Sequence, residues 1–65
     1  MKTKRIYKGY YEVTNNEMNF TIQFDEMTEG SHKWNYYIVE DEFEKWIGSS
    51  KTKKGCLLWI KRISL

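Results

Sequence analysis

Histidine and cysteine are the side chains whose chemistry is easiest to recognise in a sequence, and this chain has one of each, His32 and Cys56. A nucleophilic triad needs three groups brought together, and a structural zinc site usually takes four Cys or His ligands. Cys56 lies in the apolar run CLLWI, which is typical of a buried thiol. The sequence therefore predicts a protein that is not an enzyme and that holds no metal and no cofactor.

A run of carboxylates lies between residues 40 and 44, where paired acids could serve as a metal site or a general acid and base. Asp41 and Glu44 have the spacing of a helix capping box, with Asp41 at the N-cap and Glu44 at position N3. Capping accounts for these carboxylates without a catalytic role. We therefore expect these carboxylates to stabilise a helix terminus and not to take part in catalysis or metal binding.

Aromatic and basic side chains on the polar face of a predicted sheet are the remaining candidates for binding. Aromatic residues are enriched in protein-binding hot spots, and they also stack on unpaired bases. The residues predicted to contact a protein partner are Lys8, Tyr10, Tyr37, Trp59 and Lys61. The residues predicted to contact nucleic acid, as the alternative, are Lys8, Tyr10, Tyr37, Lys51, Lys53 and Lys54, with Trp59 and Lys61 as further candidates.

Charge is segregated along the chain, although the net charge is only +2. The N-terminus and the last third are basic, whereas the acidic residues are concentrated between residues 26 and 44. A bipolar surface suits docking to a specific protein at least as well as binding a polyanion. Glu12, on the same polar face, also weakens the nucleic-acid alternative. The sequence thus favours a non-catalytic protein-binding module of inhibitor or adaptor type, with nucleic-acid binding as the alternative.

Length and composition limit the organisation and setting of the protein. A chain of 65 residues is predicted to form one domain, residues 1–65, with marginal stability of its own. A partner, including a second copy joined about a two-fold axis, would add stability. No secretory signal or membrane-length apolar run is visible, and the lone Cys favours the cytoplasm. The excess of Lys over Arg and the absence of Ala and Pro favour an AT-rich source such as a phage or mobile element.

The first elements predicted to position these residues form a hairpin. A two-residue turn at Asn15-Asn16 suits the left-handed backbone that such turns require. Pairing from this turn places Val13 opposite Met18 and Tyr11 opposite Phe20. The first strand is predicted to continue back through Gly9, opposite Ile22, to Tyr7, opposite Phe24, with all eight of these residues on one face. A third strand, residues 33–39, pairs back with Phe24 opposite Trp34, Ile22 opposite Tyr36 and Phe20 opposite Ile38.

A change of period after residue 40 predicts a short helix. Phe43, Trp46 and Ile47 have helical spacing, and Gly48 has the place of a C-terminal stop. We expect Trp46 to pack over Gly9 and residues 56–63 to form the last strand, with Leu58 inward and Trp59 toward the binding surface. The predicted fold class is therefore α+β.

That fold is a small curved, mostly antiparallel four-stranded sheet in the order β-β-β-α-β, with one short helix on its apolar face. A small SH3-like or OB-like barrel is the alternative.

Overall fold

The protein is an open antiparallel sheet of five strands followed by one helix. The computed structural model describes all residues from 1 to 65. Its elements are β1 (Lys2–Tyr7), β2 (Tyr10–Asn15), β3 (Met18–Phe24), β4 (Trp34–Glu40), β5 (Phe43–Ser50) and α1 (Lys53–Ile63). Each strand pairs with the next in the order β1-β2-β3-β4-β5. The α+β class is confirmed, but there are five strands instead of four and the helix follows the last strand. The barrel alternative is not confirmed.

The β2–β3 hairpin turns one residue later than the sequence predicted. Asn16 and Glu17 both have positive φ, 50° and 64°, as a type I′ turn requires. Val13 therefore pairs with Phe20, and Tyr11 with Ile22. The predicted register was wrong by two residues, but a shift of two leaves every side chain on its predicted face.

The long first strand of the prediction is broken at Lys8 and Gly9. Gly9 has φ +82°, and its carbonyl oxygen accepts a 2.8 Å hydrogen bond from the backbone N–H of Phe24. A Cβ at residue 9 would lie 3.3 Å from the Phe24 Cβ. Phe24, and not Trp46, is therefore the side chain next to this glycine. The break reverses the chain and creates β1.

The pairing of β3 with β4 is as predicted. Phe20 lies opposite Ile38, Ile22 opposite Tyr36 and Phe24 opposite Trp34. The alternation of apolar and polar residues in these strands was sufficient to fix both the faces and the register.

The segment predicted to be a helix forms the last strand, β5. Asp41 and Glu42 have φ of 50° and 69° and make a two-residue hairpin turn in place of the predicted helix cap. An irregularity between Tyr36 and Tyr37 shifts the β4–β5 register. Ile47 is the extra residue at this irregularity and packs against the core, whereas Phe43 and Trp46 lie on opposite faces of the sheet. The three residues with helical spacing in the sequence therefore do not form one apolar stripe.

The segment predicted to be the last strand forms helix α1. Thr52 is its N-cap and accepts a 3.0 Å hydrogen bond from the backbone N–H of Gly55. Cys56 and Ile60, one turn apart, are fully buried against the sheet. The prediction that Leu58 points inward was wrong, because Leu58 is 57% exposed. Trp59 is 48% exposed, and lies on the helix instead of on a strand.

The core lies between α1 and one face of the sheet. Its buried side chains are Val13, Phe20, Ile22 and Tyr36 from the strands and Cys56 and Ile60 from the helix. Burial raises the pKa of the Cys56 thiol to about 11, and the thiol donates to the Trp34 carbonyl oxygen at 3.5 Å. Cys56 is thus a neutral packing residue at physiological pH.

The first turn of α1 offers a stabilising double substitution. An alanine Cβ at Gly55 would lie 2.0 Å from the Ser50 Oγ, so Gly55→Ala alone forces the serine side chain to move. In the Ser50→Ala background only the residue 50 Cβ stays close, at 3.1 Å, and the same change is expected to raise the free energy of unfolding relative to Ser50→Ala by less than about 1 kcal/mol, because alanine favours a helix over glycine. Urea unfolding of the single and double variants measures the difference, and a double variant less stable than Ser50→Ala alone would contradict it.

Candidate binding face

The sheet face away from α1 is not covered by any other element, and we call it the open face. The side chains at its centre are Tyr7, Tyr10, Thr21, Gln23, Asn35, Tyr37, Glu44 and Trp46. The register places them on one side, since each pairs with or lies diagonal to the next across the five strands. The centre of this face therefore presents aromatic rings, amides and the Glu44 carboxylate.

Glu44 on β5 is hydrogen-bonded to residues two and three strands away. The Tyr10 hydroxyl on β2 donates to Glu44 Oε1 at 2.6 Å, and the Gln23 amide on β3 donates to Glu44 Oε2. In a flat sheet β2 and β5 would be about 14 Å apart. The sheet is therefore curved with the open face concave, which also explains why Thr21 is only 3% exposed although no helix covers it.

The Glu44 carboxylate contributes to a raised pKa at two neighbouring tyrosines, as the main cause at Tyr10 and as a lesser cause at Tyr37. The hydrogen bond to Glu44, with smaller contributions from burial and from the charges of Glu44, Glu12 and Tyr7, raises the pKa of Tyr10 to about 12. Burial, followed by the charges of Glu44 and Asp25, raises the pKa of Tyr37. Both hydroxyls are thus neutral hydrogen-bond donors at physiological pH.

Replacing Glu44 by Gln is expected to return the pKa of Tyr10 most of the way toward 10, because the charged acceptor of its hydroxyl is lost. The folded-state pKa is the higher one, so the stabilisation by Tyr10 is full below pH 10 and is lost as pH rises from 10 to 12. NMR titration of the tyrosine ring carbons measures this shift. Glu12→Gln, a smaller contributor, is the control, and an equal effect of the two substitutions would contradict the assignment.

Exposed aromatic rings flank this carboxylate. Tyr7 and Tyr10 are stacked with centroids 5.0 Å apart, and Tyr7 is largely exposed. Trp46 is 57% exposed, while its indole N–H donates to the Asn35 Oδ1 at 3.1 Å. Tyr10 and Trp46 are held by hydrogen bonds at their polar edges, and Tyr7 and Trp46 expose their apolar surfaces, as aromatic anchors in protein interfaces do.

The residues predicted to bind a protein partner fall on two surfaces. Tyr10 and Tyr37 lie together on the open face, and Lys8 is exposed in the β1–β2 turn beside it. Trp59 and Lys61 lie on α1, across the sheet. The sequence prediction of one shared surface therefore came from the wrong assignment of residues 56–63 to a strand.

Three of the four lysines predicted to contact nucleic acid, all except Lys8, are also separated from the aromatic residues. Lys51 precedes α1, and Lys53 and Lys54 form its first turn. Lys53 Nζ lies 4.2 Å from the centroid of the Tyr11 ring, on the helix side of the sheet. The phosphate-contacting cluster and the stacking tyrosines of that hypothesis thus occupy different faces.

Sequence reasoning missed three principal residues of the open face. Tyr7 was assigned to the apolar face because the break at Gly9 was not foreseen. Glu44 and Trp46 were assigned to a helix, although their spacing of two also fits one face of a strand. If the Asp41-Glu42 pair is interpreted as a hairpin turn, residues 43–50 are assigned to a strand, as the structure has them.

His32 and the acidic side chains are the remaining groups that could take part in metal binding. His32 is exposed in the β3–β4 loop, and its Nδ1 lies 3.5 Å from the Ser31 hydroxyl. No three His, Cys, Asp or Glu side chains are grouped so that they could hold a metal ion. The single helix is too short to cross a bilayer.

Comparison of the chain with models of protein families, with curated proteins and with solved structures finds no match.

Proposed function

We propose that the protein is a non-catalytic protein-binding module whose open face receives a cationic side chain of a partner protein. The observation that carries this proposal is the position of the Glu44 carboxylate among exposed aromatic rings on a concave sheet. Binding of this kind suits an inhibitor or adaptor, which acts by covering part of its partner.

The chemistry of the face matches a guanidinium group better than other ligands. A planar guanidinium stacks on the faces of Tyr and Trp and pairs with carboxylates through parallel hydrogen bonds. Tyr7 and Trp46 provide exposed ring surfaces, and the Glu44 oxygens retain lone pairs beyond the bonds from Tyr10 and Gln23. An arginine of the partner would therefore find both interactions on this one face.

The charge of the open face separates this proposal from nucleic-acid binding. Glu44 and Glu12 lie on this face, with Glu12 paired to Thr21 in the sheet, and both would repel a phosphate backbone. Lys2 and Lys4 lie at the β1 edge of the same face, where Lys4 pairs with Glu12. The aromatic rings thus lie close to the two carboxylates at the centre of the open face. The lysines lie only at its β1 edge.

The proposal is tested by titrating the isotopically labelled protein with three probes and recording amide and indole N–H chemical shifts. The probes are a short arginine-rich peptide, a peptide with glutamate in place of arginine, and a single-stranded oligonucleotide. We expect only the arginine peptide to cause shifts that cluster at Tyr10, Gln23 and the Trp46 indole. Glu44→Gln is expected to reduce these shifts strongly.

Two outcomes would overturn the proposal. Shifts on the open face caused by the oligonucleotide, weakening steeply with salt, would favour the nucleic-acid alternative. No shift with any probe at millimolar concentration would remove the open face as a binding surface for either class of ligand.

A further inference from the structure

The first strand, β1, lies at one edge of the sheet and has an unpaired backbone on its outer side. It pairs only with β2, and all six of its residues are exposed. The helix packs mainly on β3, β4 and β5, so it leaves β1 uncovered. The outward N–H and C=O groups of β1 are therefore free to pair with another strand. We call this side of the strand the free edge of β1.

The free edge carries basic side chains on both faces of the sheet. Lys4 is on the open face, where it lies opposite Glu12. Arg5 is on the helix side, because it pairs with Tyr11, which packs against the core. The cation on the open face thus has a carboxylate across from it, whereas the guanidinium on the helix side has an aromatic ring.

One flank of α1 adds further cations on the helix side. Lys53 Nζ lies 4.2 Å from the centroid of the Tyr11 ring. Leu57 and Lys61 follow at intervals of four residues, so they lie on the same flank, which faces β1 and β2. No acid is present in α1 or among the helix-side residues of β1, β2 and β3. Glu40 is on this side of the sheet, but it lies at the end of β4, three strands from β1.

We propose that the free edge of β1 binds an extended acidic segment of a partner protein as a sixth strand of the sheet. Side chains of a strand alternate between the two faces, so every second residue of this segment lies on the helix side. Acidic residues at these positions meet Arg5 and the lysine flank of α1 without a competing carboxylate. Backbone pairing supplies affinity, and the alternating acids supply specificity. The site is separate from the open face and does not rest on the function proposed for that face.

The backbone and the charges of the free edge distinguish an acidic strand from other occupants. A nucleic-acid phosphate accepts hydrogen bonds from N–H groups but cannot donate to the strand carbonyl oxygens, whereas a peptide strand does both. A second copy of β1 would bring the cations Lys4 and Arg5 close to the same cations of its partner. The other edge strand, β5, carries Lys45 on its helix side, so a head-to-tail contact would add a further cation there.

The proposal is tested by adding an eight-residue peptide of alternating threonine and glutamate, capped at both ends, to the isotopically labelled full-length chain. We expect amide shifts that cluster in β1, and slower hydrogen exchange of its outward amides because they become hydrogen-bonded. A peptide with lysine in place of glutamate is expected not to bind. The acidic peptide N-methylated at every residue keeps its charge but lacks backbone donors, and we expect it not to slow the exchange.

Charge reversal in the protein locates the contact. Arg5→Glu places a carboxylate on the helix side of β1, and we expect the dissociation constant of the acidic peptide to rise at least about 10-fold. Lys51→Glu makes the same change of charge between β5 and α1 and is expected to leave the affinity unchanged. Circular dichroism verifies that both variants are folded.

Several results would overturn the proposal. These are absence of shifts in β1 at millimolar acidic peptide, equal binding of the lysine or N-methylated peptide, and equal effects of Arg5→Glu and Lys51→Glu. Self-association through β1 in sedimentation would assign the edge to a second copy, and tighter binding of a single-stranded oligonucleotide at Arg5 would assign it to nucleic acid. The arginine-peptide titration reports on Tyr10, Gln23 and Trp46, so either proposal can fail without the other.

Discussion

Replacing Ile60 by alanine is expected to reduce the free energy of unfolding by about 2–5 kcal/mol. Ile60 is fully buried between the helix and the sheet, and its removal leaves a cavity that the surrounding side chains fill only in part. A core of this size rarely supplies more than about 3–5 kcal/mol of stability. The variant should therefore be largely unfolded at 25 °C, as urea titration followed by circular dichroism would show.

Leu58→Ala is the matched control, because Leu58 lies in the same helix and is 57% exposed. We expect it to change the free energy of unfolding by less than about 1 kcal/mol. In a strand, residues 58 and 60 would share a face and would be similarly sensitive. Equal destabilisation by the two substitutions would contradict the assignment of this segment to a helix.

Gly48→Ala is expected to destabilise the protein by about 1–3 kcal/mol, because the core has no room for the added methyl group. An alanine Cβ at this position would lie 2.7 Å from the Tyr36 hydroxyl oxygen and 2.9 Å from its Cζ. The Tyr36 ring is buried on the sheet, so it cannot move aside without disturbing the core. Chemical unfolding of the variant measures the effect.

Tyr36→Phe supplies the control for this contact, since it removes the atom closest to residue 48. We expect Gly48→Ala to be less damaging in the Tyr36→Phe background than in the wild-type chain, with the coupling obtained from a double-mutant cycle. Strictly additive effects would show that the glycine is needed for another reason.

The faces of the central strands were predictable, because alternation in β2, β3 and β4 is a local pattern that survives an error in the turn. The register of β2 with β3 was wrong by two residues, yet Val13 and Phe20 still face the core. The pairing of Ile22 with Tyr36 was correct. A period of two leaves only two choices of face, and burial selects one of them.

The last third of the chain could not be predicted from local pattern because each segment resembles the other class. Phe43, Trp46 and Ile47 have the sequence spacing of an apolar helix stripe, although in β5 Phe43 and Trp46 lie on opposite faces and Ile47 is the extra residue of the irregularity. Exposed Leu58 and Trp59 make α1 a continuous apolar run such as a buried strand would have. Contacts with the rest of the sheet decide between the two, and the sequence does not display those contacts.

Residues of the open face could be predicted from the sequence only where the strand that carries them was predicted correctly. Tyr10 and Tyr37 lie on strands whose faces were correctly predicted, and they are on the open face. Trp46 and Glu44 were missed together with β5, and Trp59 was placed on the wrong side of the sheet together with α1. The central feature of the face, the bond from Tyr10 to Glu44, joins residues 34 positions apart and depends on the curvature of the whole sheet.

The two partly exposed tryptophans allow the most direct measurement of where the protein binds. Trp46 lies on the open face and Trp59 on the helix, so Trp46→Ala and Trp59→Ala are matched substitutions on opposite sides. Calorimetric titration of each variant with an arginine-rich peptide is expected to show at least about 10-fold weaker binding for Trp46→Ala and wild-type affinity for Trp59→Ala. Weaker binding for Trp59→Ala with an unchanged Trp46→Ala would contradict the assignment of binding to the open face.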